Sequence, residues 1–528
     1  MTLLYQIKYN STNSYMTNII DELIKHNDIN AKAVQYDKFI LLDFDDEQVK
    51  IENFFKILER KLPVSIFMEN SQVVDDVCKS GKLLEKNEIT TNISPTNEEV
   101  VSLIKKEPLD LSYLTLALTK NKMVKIKTNS GYKLFMTVSK ENREKLESIN
   151  KNVNLFVTNT NSLKDLFSSN SKDIQLLCSV EKPLLKMKLN LKSNINKDIS
   201  NTGFTYVKLP DDKNSYLFAH AVKKFDIDYL LYCDAEIDSD CDEVYEDDNL
   251  ISSQDDLVVT YLGHETLLVK GDKSIFPKFD YSSQKIFNSS KEYFDNHGGV
   301  YKAILSQHNK RVKSSIGVYF SYDSDVSEIA INIPGKGKLS VIEIPNILPN
   351  FANCIDEIVN IDENTPRLVE NYRKKFPKVF ENEDRELDDS NGFRTILDLT
   401  AQLMGMKDLQ EFEDTALNCG SKSGMKVDMI VKTIDGANYL DYRRIVQSIM
   451  SYKMAGVDNT ILAFSFYESL SEFIVDYATR MKDEIKSSDI VLCGDMFANS
   501  VLISKTNKAL EKTFNVMLPK DYPLDMYQ

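Results

Sequence analysis

Ile490-Val491-Leu492-Cys493-Gly494-Asp495-Met496-Phe497-Ala498-Asn499 is the stretch on which the fold turns. Its apolar, partly β-branched opening predicts a buried strand, and the glycine leads through a turn into a helix over about 498–511. A strand–glycine–helix junction brings backbone N–H groups and the positive end of a helix dipole to one point, which is how anions are held. Two readings stay open: an anion site, or a turn that closes the fold. Asp495 favours the second, because a carboxylate repels a phosphate at close range unless a metal lies between them.

Working back from the junction, 459–486 reads as one long helical region and the chain is mostly helical from about 390. Ser390 is placed to cap a helix bearing Phe393, Ile396, Leu397, Leu403 and Met404, with Gly405 ending it. From about 312 the chain is β-rich, with strands at 316–321, 329–333 and 339–344 and a Pro334-Gly335-Lys336-Gly337 turn. The block 98–280 alternates: a helix over 111–118, strands at 123–127 and 132–138 around Asn129-Ser130-Gly131, then strands at 155–158 and 184–191. At the front, strands at 3–9, 39–44 and 64–68 enclose two amphipathic helices, one carrying Met16, Ile20 and Leu23, the other Ile51, Phe54 and Leu58. That pattern suggests a ferredoxin-like sandwich. A polar stretch at 79–97, ending in Ser94-Pro95-Thr96, reads as a linker, and no internal repeat is present.

At 528 residues the chain has room for about three or four domains, and 42% hydrophobic residues supply several cores. A net charge of -15, from 80 acidic and 65 basic residues, disfavours broad binding to nucleic acid or anionic membrane, whose affinity comes from Lys and Arg. No run reaches the ~20 apolar residues of a spanning helix, and Met1–Thr12 lacks a basic region followed by an apolar one, so neither membrane insertion nor a secretory signal is expected. Seven scattered cysteines without a C-x-x-C fit reduced thiols in a cytoplasm, with no structural zinc.

Few motifs carry chemistry. Asp238, Asp240 and Asp242 have the spacing of a calcium loop, but Glu243 stands where the turn glycine belongs and Asn249 where the closing Glu belongs, so a solvated loop is expected. None of the five histidines is paired at helical spacing for a metal; His26 ends a helix and His297 lies in a loop. G-x-S-x-G and Walker A sequences are missing. Lys127, followed by Ser130 and Gly131, offers a point charge and small residues after a strand, a phosphate cradle; the plainer alternative is a β-hairpin turn.

These segments, taken in order, resemble the hydrogenase-maturation carbamoyltransferases of the HypF family. Residues 123–134 are similar to K-x-V-A-x-K-G-x-G-G-[FY]-x-L of its YrdC-type domain: Lys127, Gly131, Tyr132 and Leu134 match, while Thr128 and Ser130 replace glycines. Lys182-Pro183-Leu184-Leu185 resembles R-P-I-V, and Val207-Lys208-Leu209-Pro210 resembles G-[VI]-x-L-P. Gly392, Arg394, Asp398, Ala401, Gly405, Glu413 and Ala416 follow the family's G-R-x-x-D-A-x-A-x-L-L-G…Y-E-G-Q-A segment. Residues 490–499 are similar to V-x-L-S-G-G-V-F-Q-N, keeping Gly494, Phe497 and Asn499, and Pro523-Leu524-Asp525 stands near its P-x-N-D-G-G. The phosphate loop and arginine of the acylphosphatase-like unit, the Ser-x-Asn nucleotide motif, the zinc-finger cysteines (Cys78 stands alone) and the metal-binding histidines are not found.

The resemblance implies an α/β (α+β) multidomain chain: an acylphosphatase-like, ferredoxin-like domain at 1–78, a linker at 79–97 replacing zinc fingers, a YrdC-like domain at 98–285 and a Kae1-like domain of the actin/Hsp70 class at 312–528. The family makes a carbamoyl adenylate from ATP and carbamoyl phosphate for the cyanide ligands of nickel–iron hydrogenase. With its motifs eroded, the chain is expected to act as a cytoplasmic accessory protein, similar to HydE-type proteins, that binds a hydrogenase subunit or another maturation factor. The alternatives are an active ATP-dependent carbamoyltransferase and a nucleotide-binding regulator. Lys127, Ser130, Gly131, Gly494 and Asn499 are the nucleotide-binding positions implied, in vestigial form. ATP is the cofactor implied; no metal, and no zinc, is expected.

Overall fold

The computed structural model describes residues 2–11, 14–75, 81–85, 102, 105, 110–190, 192–246, 256–271, 299–310, 313–322, 327–347, 349–387, 393–520 and 522–525. Cys78, Asn249, His297, Ser390, Gly392 and most of the 79–97 stretch lie outside them. Two compact units divide the chain, the first mainly Met1–Thr260, the second mainly Tyr261–Val269 with the residues from Gly299 onward.

The first unit opens with β1 (Thr2–Tyr9), α1 (Tyr15–His26), β2 (Ala31–Gln35), β3 (Phe39–Asp45), α2 (Gln48–Lys61) and β4 (Met68–Val74), an antiparallel sheet in the order β2-β3-β1-β4. This is the ferredoxin-like βαββαβ arrangement. Met16, Ile20, Leu23 and Ile24 of α1 and Ile51, Phe54 and Leu58 of α2 are buried at the three- and four-residue spacing that makes one apolar stripe. Two details differ from the sequence reading. β2 carries only Ala33 and Gln35 inward, too weak an alternation to announce a strand. The last strand begins at Met68, not Val64, because its exposed residues Glu69–Val73 are mostly polar and the apolar run before it forms a connection.

A second sheet in this unit comprises β5 (Val124–Thr128), β6 (Gly131–Thr137), β7 (Asn154–Val157), β8 (Leu184–Lys188), β9 (Phe204–Lys208), β10 (Tyr229–Ala235), β11 (Glu243–Tyr245) and β12 (Val258–Leu262), in the order β11-β5-β6-β10-β7-β9-β8-β12. The β11–β5, β7–β9 and β8–β12 pairs are parallel and the sheet is mixed. Phe135, Phe156 and Tyr232 stack on its face beneath Phe218 of the helix Lys213–Lys223, with ring centroids 5.0–6.4 Å apart. The acidic run is therefore not all loop. Glu243–Tyr245 adds to the sheet edge, and Asp242 accepts the Met123 N–H at 2.8 Å, an anchor that composition alone does not reveal.

The second unit contains β13 (Glu265–Lys270), β14 (Ser315–Tyr319), β15 (Glu328–Ile333), β16 (Gly337–Glu343), β17 (Val431–Ile434), β18 (Ala437–Leu440), β19 (Asp489–Cys493) and β20 (Asn515–Met517). From β14 on they form a sheet ordered β17-β18-β16-β15-β14-β19-β20. Every residue of β14 and β19 is buried, as central parallel strands require, and they pair Ile316 with Ile490 and Val318 with Leu492. Helices Phe393–Leu403, Leu409–Leu417, Tyr442–Met454, Asn459–Ile485 and Ser500–Leu510 share one apolar core with this sheet. The β17–β18 hairpin interrupts a region that the sequence reads as helical, since its strands are four residues each and bury only Leu440, too little for an alternating signal. Among the described residues no helix is long and apolar enough to cross a membrane.

Candidate functional site

Lys127, Ser130 and Gly131 lie at the tip of the β5–β6 hairpin in the first unit. Thr128 pairs with Gly131 across Asn129-Ser130, and Gly131 has φ +95°, so the backbone follows the hairpin reading. The tip is tied from behind. Asp212 accepts the Asn129 N–H at 2.8 Å and Asn214 donates to the Lys127 carbonyl at 2.9 Å. Asp212 also caps the helix Lys213–Lys223 by accepting the Ser215 N–H at 2.8 Å. Burial, and then the charge of Asp211, push its carboxyl up to about 6 against these donors.

A buried network of charges in this unit was missed by sequence reasoning. On one face of the sheet the register places Lys133 beside Asp234, Tyr232 beside Asn154, and Lys208 beside Phe156. Asp256, just ahead of β12, joins the two lysines: Lys208 Nζ donates to one carboxylate oxygen at 2.6 Å and Lys133 Nζ to the other at 2.9 Å. Asp211 pairs with Lys208 at 2.7 Å, and Asp234 pairs with Lys133. Burial works against each charge, yet the partners outweigh it: Asp211 and Asp256 hold the Lys208 ammonium above its ordinary range, and Lys208 and Lys133 hold Asp256 far below the usual carboxylate range. Lys133 is likewise raised, burial being overcome by Asp256 and Asp234. No local pattern flags this network, because its members are 48 and 123 residues apart and each lysine sits among apolar strand residues. Two ammonium groups facing three carboxylates leave this network no spare positive charge for a polyphosphate.

Gly494 and Asn499 belong to the second unit, beyond the carboxyl end of β19, where parallel α/β sheets carry their sites. Gly494 has φ +99°, and a Cβ there would stand 2.0 Å from the Phe320 carbonyl oxygen. Its N–H donates to the Leu524 carbonyl at 2.6 Å, the Met496 N–H donates to Phe320 at 3.2 Å, and Asp495 accepts the Tyr322 N–H at 2.8 Å. Asn499 caps the helix Ser500–Leu510 through the Val501 N–H at 3.0 Å. These amides are turned inward to the fold. Around them, Asp525 accepts the Ser321 hydroxyl at 2.6 Å and that of Tyr319, while Tyr322 donates to Glu413. Burial and then these carboxylates push both tyrosines well above their ordinary range, keeping them protonated as donors. Among the described residues no group of three His, Cys, Asp or Glu is placed to hold a metal.

Residues 363–525 match the family described as carbamoyltransferase, Kae1-like domain, second subdomain. The crystal structure of full-length HypF in its phosphate- and nucleotide-bound form matches with a TM-score of 0.63, 12% identity, and coverage of 100% of this chain and 96% of that one. The crystal structure of HypF from T. kodakarensis matches with 0.63 and 10% over 99% and 96%. Protein HydE of Wolinella succinogenes is 27% identical over 204 residues, and the match spans 37% of its length and 37% of this chain. The α/β multidomain fold expected from the sequence, with ferredoxin-like, YrdC-like and Kae1-like elements, is thus present. Over its described length the chain has the fold of HypF, and residues 363–525 match the Kae1-like second subdomain of the carbamoyltransferase family.

Proposed function

We propose that the chain is an accessory protein of nickel–iron hydrogenase maturation, acting in the cytoplasm by binding a hydrogenase subunit or another maturation factor. The observation that supports this reading is a HypF fold whose polar centres are satisfied from within, Lys133 and Lys208 by carboxylates and the Gly494 amide by Leu524. Scaffolds survive such losses because a core needs shape and apolarity while a site needs particular atoms. The domain limits in this proposal are 1–78, 98–285 and 312–528, with 79–97 as linker. Lys127, Ser130, Gly131, Gly494 and Asn499 are its vestigial nucleotide positions.

Calorimetry of the full chain with ATP and carbamoyl phosphate, followed by an assay of pyrophosphate release, tests it. Weak or no binding without release is the expected result. Tight binding with release would replace it by an active carbamoyltransferase. Deleting the gene tests the pathway: reduced hydrogenase activity is expected, and unchanged maturation removes the proposal.

A further inference from the structure

We propose that Asp256 is a built-in counter-anion, filling the place between Lys133 and Lys208 that a small oxyanion would otherwise take and closing this face of the first unit to phosphate ligands. The sheet order β6-β10-β7-β9 sets the two lysine-bearing strands three steps apart, about 14 Å at the usual strand spacing. Two extended lysines leave a gap at the middle of such a span. One carboxylate fills it, taking one ammonium on each oxygen at 2.6 and 2.9 Å, as a bridging phosphate would. Asp211 and Asp234 complete the outer side of each lysine. Asp256 comes from a segment of its own, ahead of β12, so the lysines are framed by the sheet and the anion is supplied separately.

The lysines are nearly dry, with side chains 5% and 7% exposed. Buried ammonium groups are strongly unfavourable without an anion, so the bridging carboxylate stabilises the fold and excludes competitors at once. A polyphosphate would have to displace two short ion pairs and add charge to a cluster already negative by one. This holds whichever pathway or partner the chain serves.

The test is anion rescue in the full chain. Asp256→Ala removes the carboxylate and leaves space, and its thermal unfolding is compared with the parent in chloride and in inorganic phosphate at matched ionic strength. The expected result is a lower Tm in chloride, recovery of at least half the loss in phosphate, and saturable phosphate binding that the parent lacks. Equal phosphate shifts in variant and parent, or no recovery, overturn the proposal. Should the variant fail to fold in chloride, the readout is refolding yield in phosphate against chloride: a higher yield in phosphate supports it and equal yields overturn it. Asp256→Leu, which fills the space with apolar atoms, is expected to gain nothing from phosphate.

Discussion

Glu181 accepts the N–H of Ile66 at 3.0 Å while also taking the hydroxyl of the neighbouring Ser65, and beside it the Val180 N–H donates to Val64 at 2.9 Å. One buried carboxylate thereby joins the chain after α2 to the chain before β8. Burial raises its pKa, and the two donors oppose the rise.

Removing that acceptor strands two part-buried donors, at up to about 1–3 kcal/mol each. Glu181→Ala is expected to lower the unfolding temperature of the first unit clearly, and Glu181→Gln, which keeps an acceptor, to lower it less. Differential scanning calorimetry of the full chain reads this, and an unchanged Glu181→Ala transition would show the link to be idle.

Gly494 and Gly436 form a matched pair in the second unit. Both have positive φ, +99° and +86°, but an added Cβ meets the Phe320 backbone at the first and nothing within 4 Å at the second. Gly436→Ala is expected to cost about 1 kcal/mol from backbone conformation alone. Gly494→Ala adds overpacking against a backbone that cannot rotate away, for a total of about 3–5 kcal/mol. Denaturant midpoints of the two variants decide it; equal losses would contradict the close contact.

Asp212 gives a pH signature. Its folded pKa of about 6 lies above the unfolded value near 3.8, so its contribution is full below the latter and is lost as pH rises through the former. About two pKa units correspond to about 3 kcal/mol lost between pH 4 and 7. Urea midpoints of the parent across that range are expected to show this fall relative to Asp212→Asn, which cannot titrate. Parallel curves for the two proteins would refute it.

Thiol reactivity follows burial. Cys233, Cys354 and Cys493 are buried, and burial pushes the first two thiols up to about 12 and about 11 and the third well above its usual range. Among the described cysteines, iodoacetamide at pH 8 is expected to label Cys178, Cys241 and Cys419 first, peptide mass mapping being the readout. Early loss of Cys493 would mean that β19 opens readily.

Elements with strong periodicity were legible: α1, α2, β14, β19 and the helix Asn459–Ile485 fall where apolar spacing puts them. β2, β4 and β17 escaped because few or none of their residues are buried, so apolar alternation is weak and their strand character comes from neighbours already in place. Candidate positions on turns, Gly131 and Gly494, could be picked out because glycine marks unusual backbone. The Lys133–Asp256–Lys208 network could not, since nothing local says that three distant charges meet above one face of a sheet.

The nearness of Gly494 to Phe320 also limits what a motif can reveal about related chains. A side chain there destabilises the fold whether or not it touches a reaction, so selection for folding alone favours keeping the residue. Its presence certifies architecture. Whether a relative still performs chemistry has to be judged from positions whose loss the scaffold tolerates, and those are the ones that evolution is free to erase.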